Sequence, residues 1–180
     1  MDIADLTEMK DLVRLFVQIA FMRKGPQDLP TSAALLAGTA AGFFLINCLI
    51  SAVLPPIPGQ WFAELVVEVI FIFVWYALLL KALHRPERFL QTTTAVFGYN
   101  AVLAPLYICV VWLVRQFSND DTWRFPISML GLAIVVWMVA ANARILKAAL
   151  EWGTTACVAL VILQNLVEQV LLLYVFSAML

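Results

Sequence analysis

Apolar residues run through this chain in five long blocks, 32–54, 61–80, 89–114, 126–143 and 152–180, separated by short polar or proline-bearing segments. A helix rising about 1.5 Å per residue needs roughly 17–25 apolar residues to cross about 30 Å of hydrocarbon. Each block therefore predicts a membrane-spanning helix, and the expected fold class is an all-α integral membrane bundle with five transmembrane helices. Ahead of the first block, Ile3, Leu6, Met9, Leu12, Phe16 and Ile19 recur close to helical period, and Arg23, Lys24, Gly25 and Pro26 supply a stop signal. The apolar run 15–22 is interrupted by Gln18 and is too short to span. Residues 2–24 are thus expected to form an interfacial amphipathic helix lying on the leaflet as an anchor. The chain divides into a cytoplasmic amphipathic segment, 1–31, and a five-span domain, 32–180.

The turns order the spans. Pro55, Pro56, Pro58 and Gly59 predict a tight external turn, because proline cannot continue a helix, so the first two spans are antiparallel neighbours. The loop 81–88 is short and basic, and the segment around Asn119, Asp120, Asp121 and Trp123 reads as a polar external turn with interfacial aromatics. Within the first span Ala34, Gly38 and Gly42 recur at four-residue spacing, a small-residue stripe against which another helix can pack closely. Pro105 predicts a kink in the third span. No internal repeat is evident, and an odd number of spans disfavours a simple two-half transporter.

Charge sets the expected orientation. With Met1 in the cytoplasm, Lys10, Arg14, Arg23, Lys24, Lys81, Arg85, Arg88, Arg144 and Lys147 fall inside and only Arg115 and Arg124 outside. This positive-inside pattern predicts a cytoplasmic N-terminus and an external C-terminus. The first twenty residues carry acidic charge and lack a clean apolar core before a small-residue cleavage site, so no cleaved signal peptide is expected. A hydrophobic share of 64% agrees with five spans and leaves no room for an independent soluble domain.

Against that apolar background a few polar residues stand out. Ionisable groups within a span are expensive and are functional hypotheses by default. Glu64 and Glu68 are four apart on the second span and share a face; Glu64 lies near the outer surface, where solvent can reach it. On the fifth span Gln164, Asn165, Glu168 and Gln169 form one polar stripe. Glu68, about 10 Å below the outer surface, and Glu168, about 15 Å from the outer end, reach similar depths, with Asn47 of the first span near in height. Two carboxylates so placed are expected to hold at least one proton between them. The candidate intramembrane polar site is therefore Glu68, Glu168, Asn165, Gln164 and Asn47. It reads either as a structural hydrogen-bond network or as a site for a proton, a cation or a lipid head group. Asn100 and Asn142 are expected to bond between helices.

No enzyme signature is present. The chain has no His-Glu-x-x-His, no Gly-x-Ser-x-Gly and no phosphate-binding glycine loop. His84, the single histidine, reads as an interfacial loop residue. Cys48, Cys109 and Cys157 fall in three different spans without metal-ligand spacing, and read as buried small apolar side chains. No catalytic residue, metal site or cofactor is expected. The basic residues sit where topology places them, so the expected partners are membrane lipids, other membrane proteins or a second copy of the chain, and not nucleic acid.

The stretch Arg88-Phe89-Leu90-Gln91-Thr92-Thr93-Thr94-Ala95-Val96-Phe97-Gly98-Tyr99-Asn100, followed by Pro105, resembles the middle of the Yip (Rab-GTPase-interacting) family of multi-span membrane proteins. The resemblance implies five spans with the N-terminus in the cytoplasm, and in eukaryotic relatives a role in vesicle trafficking through prenylated Rab-type GTPases. Those relatives make that contact through a longer cytosolic N-terminal region, which residues 1–31 do not match, so the resemblance points to a bacterial inner-membrane relative with a short N-terminus. It carries over no catalytic residue. Two readings follow: a non-enzymatic Yip-type protein that organises partners or membrane shape, or a small permease, flippase or proton-translocating protein using the intramembrane carboxylates.

Overall fold

Six helices follow one another along residues 3–53, 61–117 and 121–177, the residues described by the computed structural model. They are α1 (Ile3–Ala20), α2 (Ala33–Val53), α3 (Trp61–Ala82), α4 (Phe89–Gln116), α5 (Asp121–Leu150) and α6 (Thr154–Ser177). Helices α2 to α6 are long and apolar enough to cross a membrane, and the chain is an all-α helical bundle of the integral membrane kind. The turns expected at Pro55, Pro56, Pro58 and Gly59 and at Asn119 and Asp120 lie outside the described residues. Helix α5 extends past both ends of its apolar block. At about 1.5 Å per residue its 30 residues exceed the hydrocarbon thickness, and polar turns of helix protrude at its ends.

Helix α4 is the hub: α1, α2, α3 and α5 all pack on it. Residues 92–99 are buried without interruption, which requires neighbours around the whole circumference of the helix. Phe97 is fully enclosed and stacks at ring-centroid distances of 5.5 Å from Phe43 and 5.0 Å from Phe73. The helix continues through Pro105, which is exposed. The hydroxyls of Thr92, Thr93 and Thr94 are buried and have no hydrogen-bond partner among the described residues.

The N-terminal helix differs from the expectation in its end and in what it covers. It stops at Ala20, where Met22 adopts the left-handed conformation (φ 59°) and the Arg23 backbone N–H donates to the Gln18 carbonyl at 2.8 Å. Its apolar residues Phe16, Ile19 and Ala20 are buried against the bundle. Phe16 seats against Gly98 so closely that a Cβ there would collide with its ring. The Trp137 indole N–H donates to the Ala20 carbonyl at 2.9 Å, and Phe21 meets the Trp137 ring edge-on. The following segment returns to the start of α4, where the Gln91 side-chain amide donates to the Leu29 carbonyl at 2.8 Å.

No helix packs closely on the small-residue stripe of α2 at its glycines: among the described residues, a Cβ at Gly38 or Gly42 would meet nothing within 4 Å. At one end of the bundle the turn between α3 and α4 is clasped to the turn between α5 and α6. Arg85 and Arg88 each pair with Glu151, at 3.0 and 2.9 Å, and Arg88 also donates to the Ala148 carbonyl at 3.0 Å. Lys147 Nζ donates to the Thr154 hydroxyl at 2.9 Å. This end carries Lys81, Arg85, Arg88, Arg144 and Lys147. His84 lies exposed in its α3–α4 turn, as expected.

Candidate functional site

Five helices, α2 to α6, enclose a cavity of about 470 Å³. Asn47 of α2, Glu68 of α3 and Gln164, Asn165 and Glu168 of α6 all line it, so the residues singled out by depth and polarity converge on one chamber. Glu168 lies close enough for its charge to act on Glu68. Gln169, Asn100 and Asn142 add further amides to the wall. Glu64, in the first turn of α3, does not line it.

Two residues of the lining, Asn142 and Gln164, are joined by one hydroxyl from behind the wall. Tyr76 of α3 is fully buried, with its oxygen 2.9 Å from the Asn142 side-chain oxygen and 3.0 Å from that of Gln164. A hydroxyl has one proton to donate, so Tyr76 donates to one amide oxygen, and the other amide satisfies it by presenting its NH2 group. The three side chains tie α3, α5 and α6 together below the carboxylates. Asn142 thus makes the interhelical bond expected of it. Exposed residues of the lining, Tyr107, Val135, Asn165 and Gln169, mark the mouth, whereas Val96, Tyr99, Asn142, Val161 and Gln164 are buried in its depth.

The polar stripe of α6 therefore divides. Gln164 is engaged in a structural bond. Asn47 and Asn165 donate within their own helices, to the carbonyls of Phe43 and Val161 at 2.9 and 2.8 Å, and both line the cavity. Glu68 and Glu168 have no hydrogen-bond or ion-pair partner among the described residues. Buried polar groups in native proteins are ordinarily satisfied by protein, water or ligand, so a cavity is where such groups meet water or a solute.

Tyr99 of the lining and Tyr76 behind it were not singled out by the sequence pattern. The available signal was a phenol far from either interface, where tyrosine in a span normally sits. Compared with models of protein families, with curated proteins and with solved structures, the chain matches none.

Proposed function

We propose that this protein is a small non-enzymatic carrier that takes a polar solute or a lipid head group into its intramembrane cavity and moves it through the bilayer. One observation carries the reading: Asn47, Glu68, Gln164, Asn165 and Glu168, from three separate helices, line one chamber. A structural network alone would pair the carboxylates, whereas the paired groups here are Tyr76, Asn142 and Gln164. In this reading the basic end, with Arg85, Arg88 and Lys147, faces the cytoplasm, in keeping with the positive-inside rule. The test is flux in reconstituted vesicles with a cationic, an anionic and a neutral solute and with a labelled lipid. The parent protein should move at least one probe, and Glu68→Gln and Glu168→Gln should abolish that movement at parental thermal stability. Absence of movement for every probe would overturn the carrier reading.

A second reading, a Yip-type organiser of membrane partners, is favoured by the open space around Gly38 and Gly42 on α2. A cysteine at Gly38 that cross-links to another membrane protein in native membranes, with no flux activity in vesicles, would favour it over the carrier.

A further inference from the structure

The cavity is one-sided in charge. Glu68 and Glu168 line it, and among the described residues no Lys, Arg or His side chain does. Ionised carboxylates deep in the bundle lose hydration and repel each other, and a positive occupant relieves both penalties at once. Size then separates a bare ion from an organic one. A chamber of about 470 Å³ falls in the range of roughly 300–1,000 Å³ typical of small-molecule sites. Among the described residues no group of three or more His, Cys, Asp or Glu converges to hold a metal. Tyr99 and Tyr107 place aromatic rings in the same wall, a surface suited to alkylated ammonium groups.

We propose, building on the reading of the cavity as a binding site, that its occupant is an organic ammonium, with its charge between Glu68 and Glu168 and its carbon part against Tyr99 and Tyr107. Two sources supply that chemistry: a free amine, or the ethanolamine or choline head group of a lipid admitted at the mouth beside Tyr107 and Gln169.

The experiment uses the full chain purified in detergent. Binding of choline, ethanolamine and the neutral isostere of choline, 3,3-dimethylbutan-1-ol, is measured by calorimetry, and lipid retained from the membrane is read by native mass spectrometry. At least one ammonium probe should bind about tenfold or more tightly than the isostere, or an ammonium lipid should be retained. Glu68→Gln and Glu168→Gln should each weaken that binding or retention by about tenfold, with elution volume and thermal midpoint unchanged. Retained ethanolamine lipid assigns the ammonium to a head group; binding of the free probes without retained lipid assigns it to a soluble amine. Equal affinity for choline and its isostere, with no retained ammonium lipid, overturns the proposal. So does absence of both binding and retention. In either case movement of a neutral or anionic probe in the vesicle assay leaves the carrier reading standing.

Discussion

At the residue scale, single atoms decide how the bundle closes. Removing the Tyr76 hydroxyl leaves two buried amides short of a partner, a loss of about 1–3 kcal/mol. Tyr76→Phe should therefore lower the thermal midpoint in detergent, although the ring volume is nearly unchanged. Replacing Asn142 together with Tyr76 should cost less than the sum of the two single changes, because they share the bond. Gly98 is the second such point. The Phe16 ring occupies the place a side chain would take, so Gly98→Ala should destabilise by about 1–3 kcal/mol through overpacking. Pairing it with Phe16→Leu should recover part of that loss. Sequence inspection placed Gly98 in a motif-like stretch, but the reason for glycine at that position lies in a helix more than seventy residues away.

At the element scale, α1 is held by protein contacts, and its fate under perturbation follows from them. Phe16→Ala should raise amide exchange along Ile3–Ala20 while leaving α3 and α6 protected, because Phe16 and Ala20 join α1 to α4 and α5. The clasp between the α3–α4 and α5–α6 turns gives a pH dependence. The Arg85 hydrogen bond holds the Glu151 carboxyl below the usual carboxylate range, and the same contact raises the Arg85 guanidinium. A carboxyl whose folded-state value is depressed contributes stability that is present above its unfolded value, about 4.3, and is lost as pH falls through the folded one. Spin labels at His84 and Trp152 should therefore report a widening of the two turns below about pH 4, and Glu151→Gln should hold them apart at neutral pH and remove the dependence.

At the scale of the whole molecule, the arrangement of helix ends makes a topology prediction. The ends of α3 and α5 and the starts of α4 and α6 share the face that carries Glu151 and its arginines, and Gln116 and Trp123 lie at the other. With the native cysteines replaced, an impermeant thiol reagent added to intact cells should label a cysteine at Gln116 and spare one at His84. Labelling at His84 and not at Gln116 would invert the orientation proposed from charge without altering the bundle.

The five spans were legible in the sequence because a helix crossing hydrocarbon must show a long apolar block, whatever it packs against. Depth was legible for the same reason: counting along the blocks put Glu68, Glu168 and Asn47 at compatible heights, and they line one chamber. Azimuth was not. Spans apolar on nearly every side carry little periodic signal to tell the lipid face from the protein face, so neither the open face at Gly38 and Gly42 nor the enclosed stretch 92–99 could be assigned from the pattern. The amphipathic period of α1 showed that one face is buried, but a periodic stripe is the same whether it meets lipid or protein. Only the packing of α1 on α4 and α5 settled that. The choice of Tyr76 as the group that binds Asn142 and Gln164, leaving the two carboxylates to the cavity, likewise depends on three helices meeting at one depth and one angle, which tertiary structure alone decides.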